Sequence, residues 1–249
     1  MRLNLFIAKS GVASRRGADA LIKNGKVRVN SKVIFQPYYQ VKEGDNIFCQ
    51  GRCLSLKENI YIIMNKPKGV TTTLKDPFAE KKITDLLPLE LTTVEGKKTD
   101  KRSLYPVGRL DKNSTGLMIL TNDGRLCFYL THPKFSVEKE YLVKAKGQLL
   151  ADELIRFKKG VVSEGEVLKA RRIKIISSNK GMTFCSVVIT EGKKRHIRRM
   201  FKALGLPVKQ LHRIRIAGLK LGSLKKGDFK VMKKNDIFRI LGLELKKPE

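Results

Sequence analysis

The stretch Gly108-Arg-Leu-Asp-Lys-Asn-Ser-Thr-Gly116 places charged side chains in a glycine-flanked loop that runs straight into an apolar segment, Leu117-Met-Ile-Leu120. The apolar segment predicts a buried strand. Asp111 stands between Arg109 and Lys112. Because neighbouring cations favour the charged form of a carboxylate, we expect Asp111 to stay ionised, as a nucleophile or general base requires. The stretch lacks the spacing of a phosphate-binding P-loop, and spacing alone favours a surface turn that holds an incidental salt bridge.

Further strand candidates surround this loop. Tyr61-Ile-Ile-Met64 ends at Asn65-Lys-Pro-Lys-Gly69, and residues 183–190 form another apolar run. From Ile60 onward short strands alternate with fewer helices, which predicts a mixed α+β domain. A polar stretch at 55–59 predicts the boundary that precedes it, and the charged residues 95–102 predict a mobile loop.

Residues 1 to about 55 predict a compact basic module, with ten Lys/Arg and three Asp/Glu in the first 52 residues. A short helix should end at Gly11, and a second helix should begin after Ser14, a favoured N-cap, and end at Gly25. The following pattern predicts a hairpin over 27–34 with its turn at Asn30-Ser31, then a strand near 46–49. Arg15 and Arg16 fall in the first turn of the second helix, where cations oppose the helix dipole unless an anion binds there. Two solvated surface arginines are the alternative.

The composition is strongly basic. Lys and Arg number 53 against 23 acidic residues, a formal net charge of +30. Such an excess attracts polyanions, so the partner should be nucleic acid or an anionic membrane. The sequence has neither a long apolar span nor a basic amphipathic anchor, and its first apolar stretch is too short for a signal-peptide core. We therefore expect a cytoplasmic protein that binds nucleic acid and no membrane.

The cysteines and histidines do not form a metal-binding pattern. No C-x-x-C pair occurs, and no two histidines stand four residues apart. We expect no metal and interpret the cysteines as small buried apolar residues. They are Cys49, Cys53, Cys127 and Cys185.

The segment from Glu191 to Phe201 predicts a basic loop that becomes a helix. Ile197, Met200, Phe201 and Leu204 recur at helical spacing and should face the core, and Gly205 should end the helix. The other face carries a dense group of cations, for which phosphate binding is a better interpretation than simple solvation. This group consists of Arg195, Arg198, Arg199 and Lys202.

A tyrosine follows charged residues in Glu138-Lys-Glu-Tyr141 at the start of a predicted strand. A tyrosine in this position can stack on an extruded base or accept a proton, although half-buried packing is more common. Spacing does not decide between these alternatives.

Taken together, these motifs resemble the family of ribosomal small- and large-subunit pseudouridine synthases, with an N-terminal module similar to the alpha-L RNA-binding domain. The resemblance covers nearly the whole chain, and five motifs in the family's order are far more specific than one. It implies an α+β fold, in which a small α/β RNA-binding module at 1–56 precedes a catalytic domain at 59–249 built on a mixed, mainly antiparallel sheet flanked by helices. The motifs are Asn65-Lys-Pro-Lys-Gly-Val70, Gly108 to Gly124, Glu138-Lys-Glu-Tyr141, Glu191 to Phe201 and Leu211-His-Arg-Ile-Arg-Ile216.

The resemblance also implies the reaction and the residues that perform it. A uridine in structured RNA would be isomerised to pseudouridine, with Asp111 required to detach uracil from the ribose and rejoin it through carbon-5. Tyr141 would stack on the target base and take the carbon-5 proton, and Arg198 would pair with the catalytic carboxylate. Leu211 would line the base pocket, and Lys66 with Pro67 would support the catalytic loop.

The remaining expectations concern partners. An isomerisation needs no cofactor, and the base must leave its stack to react. We expect ribosomal RNA as the substrate, with a lean towards the large subunit, and a monomeric protein. The alternatives are a catalytically silent RNA-binding or ribosome-assembly factor and, from another class, a nucleotide-dependent RNA enzyme, for which no phosphate-binding loop is present. The residues expected to bind RNA are Arg15, Arg16, Lys23, Arg28, Arg109, Arg195, Arg199 and Arg213.

Overall fold

The structure is a computed structural model that describes residues 1–73, 79–94, 97–101 and 104–243. In chain order the helices are α1 (Leu3–Lys9), α2 (Arg15–Lys23), α3 (Leu89–Thr92), α4 (Gly124–Thr131), α5 (Ala151–Lys159), α6 (His196–Ala203) and α7 (Lys234–Ile240), with short 3-10 helices at Ile83–Leu86 and Pro133–Phe135. The strands are β1 (Val27–Val29), β2 (Lys32–Val33), β3 (Ile47–Cys49), β4 (Arg52–Cys53), β5 (Tyr61–Lys66), β6 (Thr93–Val94), β7 (Lys97–Lys101), β8 (Tyr105–Pro106), β9 (Thr115–Thr121), β10 (Lys139–Lys146), β11 (Val161–Ser163), β12 (Glu166–Leu168), β13 (Arg172–Asn179), β14 (Met182–Ile189), β15 (Val208–Ile216), β16 (Leu219–Lys220) and β17 (Phe229–Met232).

The chain divides into two compact units. One comprises Met1–Asn59 with Leu87–Tyr105, and the other comprises Ile60–Leu86 with Pro106–Glu249. The division after Asn59 falls where the polar stretch predicts a boundary, whereas the grouping of 87–105 with the first unit was not predicted. Within the described residues, none of the helices combines the length and apolar character needed to cross a membrane.

The first unit forms as its turn and cap residues predict. The Ser14 side chain accepts a hydrogen bond from the backbone N–H of Gly17 at 3.2 Å, so α2 begins at Arg15. Its small sheet has the order β2-β1-β3-β4. Leu3, Ile7 and Ile22 are fully buried against this sheet, which gives the module its own core. The predicted loop at 95–102 is wrong in part, because Lys97–Lys101 forms strand β7 paired with β6; residues 95, 96 and 102 lie outside the described part of the chain.

The second unit is built on one large sheet with the order β13-β14-β10-β15-β9-β5-β17, to which β8 and β16 add short pairings. The pairs are antiparallel except β9 with β15, which are parallel where His212 faces Thr115 and Arg213 faces Gly116. This confirms the predicted α+β fold with a mainly antiparallel sheet. Strand β9 is buried from Gly116 to its end, as its apolar sequence predicts.

Gly116 is required by the close approach of β9 to β15. Its φ is +105°, and a Cβ atom on it would collide with the backbone of Arg213. A glycine is therefore needed both for the backbone conformation and for the absence of a side chain. The same residue ends the loop that carries Asp111, so the close approach fixes that loop against β15.

Asp123 begins helix α4 and ties it to the sheet. One carboxylate oxygen accepts hydrogen bonds from the backbone N–H groups of Arg125 and Leu126, which caps the helix. The other accepts a hydrogen bond from the Tyr61 hydroxyl at 2.8 Å. Leu126 and Leu130 are then buried in the core of the unit.

Candidate active site

Asp111 lies on a loop that is held in place mainly by backbone contacts. The loop joins β8 to β9, and within it the backbone N–H of Ser114 bonds to the carbonyl oxygen of Asp111 at 3.0 Å. The Thr72 hydroxyl donates to the carbonyl oxygen of Leu110 at 2.8 Å and accepts from its N–H at 3.2 Å. The backbone is therefore anchored at Leu110 and at Asp111 itself.

Lys66 supports the same loop from beneath. Its side chain is fully buried, and its ammonium group donates to the carbonyl oxygens of Pro67, Lys112 and Ser114, at 3.0, 3.3 and 2.8 Å. Burial lowers the pKa of Lys66 to about 8, against the opposing effect of the nearby Asp111 charge. The contacts agree with the supporting role that the resemblance implies for Lys66 and Pro67.

Two arginines from the start of α6 face the Asp111 carboxylate. Arg198 Nε lies 3.5 Å from Asp111 Oδ2, and Arg195 Nη1 lies 3.9 Å from the same oxygen. The Arg198 side chain is only 13% exposed, whereas that of Arg195 is 54% exposed. Because water screens an exposed pair far more, Arg198 is the stronger partner.

The other hydrogen bonds of the Arg198 side chain orient it towards Asp111. Its Nη1 donates to the carbonyl oxygen of Val208 at 3.0 Å, and Nη2 lies within 3.4 Å of the Ser114 hydroxyl. Burial lowers the pKa of Arg198, and the Asp111 charge partly offsets that effect. At 3.5 Å the contact with Asp111 is an ion pair without a short hydrogen bond, so the carboxylate oxygens remain available to a substrate.

Asp111 and Tyr141 line one cavity of about 520 Å³, a size typical of small-molecule sites. Tyr141, on β10, is 7% exposed and lies opposite Arg213 of β15 in the sheet register. Arg109 and Arg195 line the cavity as well. The structure thus brings together a carboxylate, the exposed Arg195 and an aromatic ring at a cavity large enough for a nucleotide base, while Arg198 contacts the carboxylate without lining that cavity.

The comparisons with known proteins agree with this geometry. A family model described as RNA pseudouridylate synthase matches residues 60–203. The chain belongs to this family. A second model, the S4 domain, matches residues 1–47, the basic module of the first unit.

Relatives of the whole chain carry the same description. The chain is 35% identical to the ribosomal large subunit pseudouridine synthase B of Bacillus subtilis over 244 residues, covering 97% of this chain and 96% of the relative. It is 34% identical to an uncharacterized RNA pseudouridine synthase of Aquifex aeolicus, covering 98% and 96%. A crystal structure of a pseudouridylate synthase matches with a TM-score of 0.64 and 28% identity, covering 96% of this chain and 99% of that one. The protein is therefore a pseudouridine synthase with an RNA-binding S4 domain.

The S4 domain of this synthase exposes the cations predicted to bind RNA. Arg15 and Arg16 in the first turn of α2, Lys23 in its last turn and Arg28 on β1 are all exposed to solvent. Arg28 also packs over the ring of Phe48, with its guanidinium carbon 5.5 Å from the ring centroid. These positions are compatible with contacts to phosphates.

Two of the arginines predicted to bind RNA are buried by contacts within the protein. Arg199 is 8% exposed; its guanidinium donates to Glu166 Oε2 at 2.6 Å and to the carbonyl oxygen of Ser163. Arg199 is therefore not placed to contact RNA, because Glu166 of the β11–β12 hairpin pairs with its guanidinium group. Arg213 is 2% exposed, and its Nε donates to the carbonyl oxygen of Leu117 at 2.7 Å, so it lies at the floor of the cavity and joins β15 to β9.

Leu211 lines a second cavity of about 1000 Å³, together with Leu142, and is not among the residues that line the Asp111 cavity. The residue is 7% exposed and pairs in register with Val143. Arg198, which contacts Asp111, lines this second cavity as well, so the assignment of Leu211 to the base pocket stays a prediction.

Lys139 is a cavity residue that the sequence analysis missed. It lines the cavity two residues before Tyr141, and its ammonium group donates to the carbonyl oxygen of Val137 at 3.0 Å. Burial lowers the pKa of Lys139 to about 8, with a smaller contribution from the Arg213 charge. Alternate residues of a strand share a face, so the period of two from Tyr141 was the signal that could have found it.

Within the described part of the chain, no group of three or more His, Cys, Asp or Glu side chains is arranged so that it could hold a metal ion. All four cysteines are free thiols. Cys49 and Cys185 are buried as predicted, but Cys53 is exposed, because it stands on the short outer strand β4.

Proposed function

We propose that this pseudouridine synthase isomerises a uridine of large-subunit ribosomal RNA, with Asp111 as the essential catalytic residue. The observation that carries the proposal is the Asp111 carboxylate at the wall of this cavity, 3.5 Å from Arg198, whose side chain is 13% exposed. Partial burial of this ion pair has a desolvation cost, which a role of Asp111 in the cavity would account for.

The isomerisation breaks the bond between N1 of uracil and the ribose C1′, forms a bond from C1′ to carbon-5, releases the carbon-5 proton and adds a proton to N1. Attack on the sugar, attack on the base and abstraction of a sugar proton all require an ionised carboxylate within reach of the nucleotide. Arg198 and Arg195 hold the Asp111 carboxylate at the cavity, with nitrogen atoms 3.5 and 3.9 Å from Oδ2. These contacts support Asp111 for each of the three roles.

Tyr141 is the residue best placed to contact the displaced base. Its ring lines the same cavity as Asp111 and is 7% exposed, so a base that enters would replace water against an aromatic face. Its hydroxyl is the group we assign to receive the carbon-5 proton. Lys139 supplies a cation to the same cavity, suited to a uracil carbonyl oxygen or a phosphate.

One observation favours the large ribosomal subunit as the source of the substrate, and a second favours a long RNA. The Bacillus subtilis relative at 35% identity is named as a large-subunit enzyme, and the match covers 97% of this chain. The S4 domain and the net charge of +30 favour a long, folded RNA over a free nucleotide, because counterion release grows with the number of phosphates contacted.

The test compares Asp111→Asn with the unchanged protein on ribosomal RNA transcripts that carry tritium at carbon-5 of uridine. We expect tritium release from the unchanged protein only, while both proteins bind RNA with similar affinity. Asp152→Asn is the matched control, since Asp152 is an exposed residue of α5. Tritium release by Asp111→Asn at the normal rate would remove Asp111 from the mechanism. Binding without release by the unchanged protein would favour the silent RNA-binding factor.

A further inference from the structure

The solvent-facing side of α4 and the turn that follows it carry an exposed cluster of rings. Phe128 is 47% exposed and Phe135 is 36% exposed. His132 and Lys134 are exposed between them. We call Phe128, His132, Lys134 and Phe135 the aromatic patch. The opposite side of α4 is buried, so the exposed rings are not needed for the core.

The rings contact one another and share one cation. Phe128 and Phe135 meet edge to face with centroids 5.6 Å apart, and the His132 ring lies 4.7 Å from that of Phe128. The Lys134 ammonium lies 4.9 Å from the Phe128 centroid and 4.8 Å from the Phe135 centroid. His132 Nδ1 accepts the backbone N–H of Lys134 at 3.2 Å, which leaves its Nε2 as the atom free to donate. Exposed rings, a cation and a donor are thus presented on one surface.

This surface is continuous with the rim of the catalytic cavity. Thr131, which lies between Phe128 and His132 in the chain, is itself a lining residue of that cavity. The segment from Gly124 to Phe135 contains Arg125 and Lys134 and no acidic residue. A polyanion that enters the cavity therefore meets the aromatic patch without charge repulsion from this segment.

We propose that the aromatic patch binds an unpaired base of the RNA substrate, adjacent to the uridine that enters the cavity. The inference rests on the proposed function for its substrate. A nucleotide that leaves its stack exposes the face of a neighbouring base, and aromatic side chains replace that lost stacking for any base. Lys134 then lies where it can contact the phosphate. The position of the patch beside the cavity favours RNA over a protein partner as its ligand, because a surface that binds a protein need not lie next to the cavity that receives the uridine.

The first test uses the absence of tryptophan from this chain. Phe135→Trp places a single fluorophore in the aromatic patch, and Val162→Trp places one at an exposed site on the β11–β12 hairpin as the matched control. The probe is an oligoadenylate of about ten nucleotides, within the range of single-strand site sizes. An abasic oligomer of equal length carries the same phosphates without bases.

We expect the oligoadenylate to quench Phe135→Trp fluorescence, and the abasic oligomer and the Val162→Trp control to show much less quenching. Equal quenching by both oligomers, or none by either, would overturn the proposal. If the same titration is made with ribosomal proteins, quenching by these alone would also overturn it.

The second test measures tritium release by Phe128→Leu with Phe135→Leu, which keeps apolar volume and removes the rings. Loss of base stacking should raise KM for ribosomal RNA by about 5- to 150-fold with kcat little changed. An unchanged KM would refute the proposal that the aromatic patch binds a base of the substrate. Absence of tritium release by the unchanged protein would instead refute the proposed function, while the fluorescence result still decides whether bases bind here. Circular dichroism checks that each variant is folded.

Discussion

Replacement of Arg198 by methionine tests whether its ion pair with Asp111 sustains catalysis. Arg198 Nε lies 3.5 Å from Asp111 Oδ2, a separation at which Coulomb's law with an effective dielectric constant near 20 gives about 5 kcal/mol. That value is an upper limit, because the Asp111 side chain is 34% exposed and water replaces part of the lost attraction. The exposed Arg195 at 3.9 Å is better described by the dielectric constant of water, which gives about 1 kcal/mol.

The assay is single-turnover tritium release with enzyme in excess over RNA, so that the rate reports chemistry and not association. We expect Arg198→Met to slow this rate by about 10- to 1000-fold, since Asp111 loses both its charge partner and its fixed orientation. Arg195→Met, the matched control, should slow it by no more than about fivefold. Arg198→Lys should fall between them, because an ammonium keeps the charge but not the fork that reaches Val208.

The reasoning fails if Arg198→Met and Arg195→Met slow the single-turnover rate equally. It fails also if Arg198→Met changes only the affinity for RNA. Either result would make Arg198 a phosphate contact and leave Asp111 without a buried partner in the mechanism. Unfolding measurements on each variant separate this outcome from a loss of folded protein.

Three further perturbations follow from the geometry. Gly116→Ala should destabilise the fold by about 1–3 kcal/mol or more in urea unfolding, because its Cβ meets the Arg213 backbone and its φ is +105°; stability within about 0.5 kcal/mol of the unchanged protein would contradict that contact. The pKa of Lys139 is lowered to about 8, so its cation is lost as pH rises through that value, and RNA affinity should then weaken at fixed ionic strength. Lys139→Arg should retain its RNA affinity to a higher pH. An identical decline of affinity in both proteins would show that a group other than Lys139 causes the pH dependence. Arg15→Ala with Arg16→Ala should weaken RNA binding and lower the slope of log affinity against log salt by about 2, and an unchanged slope would exclude the first turn of α2 from the RNA interface.

The sequence predicted those parts of the fold that depend on local chemistry. Ser14 as an N-cap, the glycines that end helices and the apolar run of β9 each act over a few residues, and each element forms where predicted. The pairing of Asp111 with Arg198 was implied by family resemblance and could not come from spacing, since 87 positions separate the two residues along the chain.

The misassigned residues show what local patterns cannot reveal. Arg198 and Arg199 are neighbours on one helix, yet one faces Asp111 and the other faces Glu166 of a distant hairpin. Helical periodicity gives the direction of a side chain but not the element that packs against it. The position of Leu211 was hidden for the same reason, since only the sheet register shows that it lies beside Val143 at the second cavity.

The way Lys66 holds the Asp111 loop separates the shape of that loop from the side chains it presents. Its ammonium group bonds to main-chain oxygens, which every amino acid possesses. These contacts therefore do not depend on the side chains at the exposed positions Lys112 and Asn113. A shorter or neutral side chain in place of Lys66 would leave the carbonyl oxygens of Pro67 and Ser114 without this donor, whereas that of Lys112 would keep the backbone N–H of Gly69.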